Sequence, residues 1–164
     1  MWLISLIGSL GAFFAALAAW RTAIETRKTV LVQILLQITD TYSSPEMLEA
    51  MQNLRKWKEQ NGPDFAKLFG QLRHQNYERI EQLDKDRRRI SHYFYRIKLL
   101  LQAGLLNKNL VKELVTEKQV DFLLKIIEPL ERVIDPNYDF STYDTFKKLF
   151  NKDKVPERDI SETT

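Results

Sequence analysis

Three consecutive arginines, Arg87-Arg88-Arg89, are the residues of this chain whose type and spacing suggest chemistry most directly. Guanidinium groups match the geometry of phosphate and carboxylate, so three in a row could form an anion-binding site. Arg87 also continues the apolar seam from Leu83 to Ile90, where an unpaired guanidinium would be costly to bury. Asp84 stands one helical turn earlier and can approach Arg87. The pattern therefore supports two interpretations, a structural Asp84–Arg87 ion pair and an anion-binding cluster.

Other candidate groups are sparse. His74 and His92 are the two histidines, the chain has no cysteine, and no His or Glu falls at a metal-ligand spacing. Asp135, Asp139 and Asp144 lack the glycine and distal glutamate of a calcium loop, so turn and cap roles are expected. No phosphate-binding glycine-rich loop and no nucleophile elbow is present. We expect no metal, no cofactor and no catalytic residue, and an enzyme is the least favoured class.

The most informative segment is the uncharged run from Trp2 to Trp20. A helix of about 20 apolar residues spans a bilayer core, and tryptophans favour its two interfaces. The cations Arg21 and Arg27-Lys28 follow on one side only, which predicts an outside N-terminus and a cytoplasmic C-terminal domain. A cleaved signal peptide and a buried core helix are the alternatives, but no positive segment precedes the run. We expect a single-pass protein of the cell membrane.

Small residues lie on one face of this predicted anchor, at Gly8, Ala12, Ala15 and Ala19. Small side chains let membrane helices approach closely, so this face could associate with a second copy or with another membrane protein. Ordinary anchor composition is the alternative explanation, because glycine and alanine are common in such helices.

The rest of the chain predicts an all-α protein. Glycine and proline are few, with five of each, and apolar residues recur at helical spacing without strand alternation. The anchor (1–20) is expected to continue into a helical bundle of four to five substantial helices (21–150), followed by a flexible charged tail (151–164). The predicted helices are 21–42, one that begins after Ser44 and ends at Asn61-Gly62-Pro63, 64–76, Tyr77–Ala103, one capped by Asn107, one capped by Thr116 and kinked or restarted at Pro129, and one from Ser141.

The layout resembles a family of uncharacterised prokaryotic proteins with one N-terminal span and a helical cytoplasmic domain. The residues that carry the resemblance are the anchor with Arg21 and Arg27-Lys28, Ser44-Pro45-Glu46, Leu54-Arg55-Lys56-Trp57, Arg87-Arg88-Arg89-Ile90, Phe94 and Ala103-Gly104-Leu105. The resemblance implies the architecture and brings no activity with it.

The function that these observations favour is a non-enzymatic, membrane-anchored interaction or regulatory module that binds a protein partner at the inner membrane face. The predicted partners are the lipid bilayer and, through the anchor, a second copy or a membrane protein. The alternative is binding of an anionic ligand or lipid headgroup by the Arg87–Arg89 cluster, since an inner leaflet attracts nearby cations. A net charge of +3 is too small to predict nucleic-acid binding.

Overall fold

The protein is all-helical in its computed structural model, which describes the backbone of residues 2–151 and the side chains of residues 18–151. No strand occurs within that range. Short 3-10 turns at Gly62–Asp64 and Tyr77–Arg79 separate some of the helices. The α-helices are α1 (Trp2–Ser43), α2 (Pro45–Asn61), α3 (Phe65–Gln75), α4 (Glu81–Gln102), α5 (Lys108–Leu114), α6 (Glu117–Phe122), α7 (Glu128–Ile134) and α8 (Ser141–Leu149).

The chain divides into two compact units, Met1–Ile38 and Thr39–Thr164. In the first unit, every side chain from residue 18 to residue 30 is exposed to solvent. Of the helices as far as they are described, none has the length and apolar character that crossing a membrane requires. The membrane part of the sequence prediction is therefore not supported. The anchor predicted at residues 1–20 falls mainly on residues 1–17, whose side chains lie outside the described part, and most of the predicted tail (152–164) lies outside it too.

Local capping signals determine where several helices of the second unit begin. The Ser44 side chain accepts a hydrogen bond from the Met47 amide at 3.2 Å, and Pro45 occupies the first turn of α2. Asn107 caps α5 in the same way, and Thr116 forms a reciprocal capping box with Gln119. These three helix starts, predicted from the sequence, are confirmed.

The core of the second unit is formed by apolar and aromatic side chains from most of its helices. Phe94 of α4 lies edge-on against Tyr93 and Phe146, with ring centroids 5.3 and 5.1 Å apart. Gly70 of α3 faces α7 so closely that a Cβ there would lie 3.4 Å from the Val133 Cβ. The largest fully buried side chains are Tyr143, Phe69, Phe94, Phe146, Met47, Leu54, Ile80, Ile90, Ile97, Leu123, Ile127 and Leu130.

One helix boundary differs from the sequence prediction, and the interruption predicted at Pro129 is confirmed. Helix α4 begins at Glu81 rather than at Tyr77, because a separate 3-10 turn at Tyr77–Arg79 brings the Tyr77 hydroxyl to 3.1 Å from Asp84. Before Pro129, α6 widens into a π-helical segment at Leu123–Ile127 and α7 restarts at Glu128. Proline lacks an amide hydrogen and clashes with the preceding turn, and the wider π turn accommodates it.

Candidate functional site

Arg87 lies at the centre of a buried ion cluster between α4 and α7. Its side chain is only 6% exposed, and its Nε and Nη2 donate to Asp84 Oδ1 at 3.0 and 2.8 Å. Its Nη1 also pairs with the carboxylate of Glu131, a buried residue of α7. The guanidinium is thus held between two carboxylates on two helices, an arrangement that compensates part of the cost of removing the charge from water.

Asp84 is the more fully enclosed partner. Its other oxygen, Oδ2, accepts hydrogen bonds from the Tyr77 hydroxyl at 3.1 Å and from Arg88 Nη2 at 2.7 Å. Burial alone would raise the pKa of Asp84, but the hydrogen bond and charge of Arg87, together with Arg88 and Tyr77, hold that pKa below its usual value. Asp84 is therefore a carboxylate whose ionised form the surrounding side chains stabilise.

The three arginines predicted as an anion site do not converge. Successive residues of a helix point about 100° apart, so Arg88 and Arg89 leave α4 in different directions from Arg87. Their side chains are 52% and 42% exposed. Arg89 donates to the Glu46 carbonyl at 3.0 Å and lies 3.9 Å from Asp86. Each guanidinium already has a carboxylate within ion-pair distance, which leaves no shared cationic face for a ligand.

Three further buried charges were not identified from the sequence. Asp86 of α4 accepts hydrogen bonds from Asn53 at 2.8 Å and from Gln82 at 2.9 Å. Glu128 of α7 binds Arg132 at 2.6 Å and Lys147 of α8 at 2.8 Å. The third is Lys98 of α4, described next. Among these contacts, only Gln82–Asp86 and Glu128–Arg132 join residues that are four apart on one helix, the spacing from which a sequence pattern can predict a contact.

Lys98 is buried at the end of α4 that approaches the start of α8. Its Nζ donates to Ser141 Oγ at 2.5 Å and lies 3.7 Å from Asp139. Asp139 in turn accepts from the Ser141 amide at 3.0 Å and its hydroxyl at 2.6 Å. These bonds of Ser141, with the charge of Lys98, lower the pKa of Asp139. Together, the contacts among Lys98, Asp139 and Ser141 fix the first turn of α8.

The remaining candidate residues lie apart from one another. His74 and His92 are both exposed, and Asp135 accepts a hydrogen bond from the Asn137 amide, as expected for a turn. Within the described residues, no group of three His, Cys, Asp or Glu side chains could hold a metal ion. Gly8, Ala12 and Ala15 of the predicted association face lie outside the described side chains, and Ala19 is exposed.

The buried charge cluster can stabilise and orient helices, since its members bond one another between α4, α7 and α8. Tyr143 lies in the same core with its side chain fully buried. Burial raises the pKa of Tyr143, so the Tyr143 hydroxyl stays protonated.

No family model, no curated protein and no solved structure matches the chain. Its family membership therefore stays a prediction from the sequence.

Proposed function

We propose that this chain is a membrane-anchored, non-enzymatic interaction module whose first helix contacts a protein partner at the inner face of the cell membrane. The observation that carries the proposal is the exposure of large apolar side chains on α1. Val32 is 54% exposed, and Leu36, one turn further along the same face, is 58% exposed. Large apolar groups in water on one helix are typical of a surface that another molecule covers.

Membrane attachment is the second part of the proposal, and it rests on the sequence. The uncharged run Trp2–Trp20 is the first part of α1, and the exposed apolar residues lie further along the same helix, so a partner in the same membrane would meet them at high effective concentration. Modest affinity would then suffice. The cations at Arg21, Arg27 and Lys28 favour the cytoplasmic orientation.

Anion binding by the Arg87–Arg89 cluster has weaker support than partner binding. Arg87 is buried between Asp84 and Glu131, and Arg88 shares Asp84. A ligand at that position would have to displace carboxylates that are already in place. We therefore give this alternative second rank.

Fractionation of the full chain with a C-terminal tag tests attachment and orientation. We expect the protein to resist salt and alkaline carbonate, to be released by detergent, and to keep its tag protected from protease in intact spheroplasts. Release by carbonate, or digestion of the tag, would contradict the anchor or its orientation.

Photo-crosslinking tests the contact surface on α1. A benzoylphenylalanine at Val32 is expected to give a discrete adduct in cells, whereas the same group at Glu113, an exposed polar position of α5, is not. Identical adducts from both positions, or none from Val32, would refute a contact at α1.

Self-association through the anchor has its own test, because the chain contains no cysteine. A single cysteine at Ala19, on the predicted small-residue face, should form disulfide dimers in oxidised membranes. A cysteine at Leu17, placed by helical spacing on the other side, is the matched control. Equal dimer yield from the two positions would exclude a specific face.

A further inference from the structure

A surface cavity between the end of α4, α5 and α8 is lined by three lysines, Lys108, Lys112 and Lys148. Its volume is about 390 Å³, within the range of roughly 300–1,000 Å³ typical of ligand clefts. Lys108 and Lys112 stand one turn apart on α5, and Lys148 comes from α8. Three lysines from two helices therefore line one space.

These three lysines have in common that no described carboxylate neutralises them. In the described part of the chain, none of the three has an ion-pair partner, and no carboxylate lines the cavity. The neighbouring Lys147 shows the contrast, because it bonds Glu128 at 2.8 Å. Like charges one helical turn apart repel each other, so the α5 pair raises the free energy of the empty cavity and an anion would relieve it.

The rest of the lining suits a small anion attached to an apolar or neutral group. Leu101 and Leu149 supply apolar wall, and Asn151 supplies a side-chain amide. The Thr145 hydroxyl already donates to the Ser141 carbonyl at 2.7 Å, so towards a ligand it can only accept. Lysine is a compact cation that binds phosphate as a point charge.

We propose that this lysine cavity (Lys108, Lys112, Lys148) binds a phosphate monoester. The same chemistry is carried by a soluble phosphate ester and by phosphatidic acid, a phospholipid whose headgroup is itself a phosphate monoester, and both would present a charge of about −1.5 to −2 at pH 7 to the three lysines. This site is distinct from the arginine cluster and is independent of the partner surface on α1.

The test uses the full chain in a neutral detergent, with glycerol 3-phosphate as the soluble probe and calorimetry as the measurement. The triple variant K108Q/K112Q/K148Q is expected to bind the probe at least about tenfold more weakly, since one lost charge-assisted contact corresponds to roughly an order of magnitude in Kd. The matched control K56Q/K67Q/K118Q removes three exposed lysines elsewhere and should bind as the parent does.

A second arm separates the two sources of phosphate. The parent chain and the control variant K56Q/K67Q/K118Q are placed in phosphatidylcholine nanodiscs with and without phosphatidic acid, and amine labelling at Lys108, Lys112 and Lys148 is read by mass spectrometry. Protection that appears only with phosphatidic acid, without binding of glycerol 3-phosphate, would assign the site to a lipid headgroup. The proposal would be overturned if both triple variants lost affinity for glycerol 3-phosphate equally. It would also be overturned if the parent chain neither bound glycerol 3-phosphate nor showed protection of the three lysines in nanodiscs.

Discussion

Two groups of three cations occupy this bundle, and they differ in what surrounds them. Arg87, Arg88 and Arg89 are consecutive, and each already has a carboxylate within ion-pair distance. The members of the lysine cavity lie up to forty residues apart in the numbering, yet they line one space that no described carboxylate shares. The cluster that is conspicuous in the sequence is thus internally neutralised, whereas the dispersed group keeps its charge.

The difference follows from helix geometry. Adjacent residues of a helix diverge by about 100°, so a run of like residues spreads around the axis and each member meets different neighbours. Residues four apart share a face, as Lys108 and Lys112 do, and a second helix can add to that face. In a helical protein, like-charged side chains that could bind one ligand together are therefore expected at a spacing of three or four residues rather than in a contiguous run.

The largest expected effect concerns Arg87. Arg87→Leu should lower the free energy of unfolding by about 3–5 kcal/mol, because Asp84 and Glu131 would remain buried without their shared cation. Urea unfolding followed by circular dichroism measures the change. Arg96→Leu, at an exposed position of the same helix, is the control and should stay within about 0.5 kcal/mol. Similar losses for the two variants would show that Arg87 has no special structural role.

A pH dependence should accompany this cluster. The pKa of Asp84 is lowered in the folded state from its usual 3.8, so the unfolded state binds more protons as acid is added. The stability that Asp84 contributes is therefore present above that value and is lost as the pH falls through the lowered folded pKa. The difference in unfolding free energy between the parent and Asp84→Asn should narrow below about pH 4.

The exposed carboxylate Asp144 offers a matched control for the acid titration. Asp144→Asn should differ from the parent by less than about 0.5 kcal/mol throughout. If the difference in unfolding free energy between the parent and Asp84→Asn stayed constant down to pH 2.5, Asp84 would not be a stabilised carboxylate.

Smaller effects are expected for the other two arginines. Arg88→Gln should cost less than about 1 kcal/mol, because the Arg88 side chain is half exposed and Asp84 keeps its bond to Arg87. Arg89→Gln should cost no more, since its contact with Asp86 is long, at 3.9 Å. Chemical denaturation ranks the three positions. Equal losses of unfolding free energy for Arg88→Gln and Arg87→Leu would contradict the distinction between a buried structural Arg87 and a half-exposed Arg88.

The smallest effect on stability is expected in the lysine cavity. Lys108→Gln with Lys112→Gln should change the unfolding free energy by no more than about 0.5 kcal/mol, and the direction should be towards greater stability because a like-charge pair is removed. Thermal and urea unfolding both measure it. A loss above 1 kcal/mol would show that these lysines have partners that hold the fold together.

Much of the fold could be predicted because its signals are local. Ser44-Pro45, Asn107 and Thr116 begin helices by capping chemistry contained within a few residues. Asp84 and Arg87 are likewise one turn apart, so their contact was foreseeable.

The remaining features depend on residues distant in sequence. Glu131 reaches Arg87 only because α7 packs on α4, and Lys147 reaches Glu128 from α8. The lysine cavity needs α4, α5 and α8 together before it exists. Leu48 is 46% exposed although its neighbour Met47 is buried, because consecutive residues of a helix point about 100° apart.

The most direct measurement compares both groups of cations in one sample. Full-length protein labelled at arginine Nε and lysine Cε, in a neutral detergent, is titrated with glycerol 3-phosphate and followed by nuclear magnetic resonance. The Lys108, Lys112 and Lys148 signals should shift with one common saturation curve, while the Arg87 Nε signal stays unchanged and its proton exchanges slowly with solvent. Shifts confined to the arginines, or spread equally over all exposed cations, would contradict the division between a structural arginine cluster and a free lysine cavity.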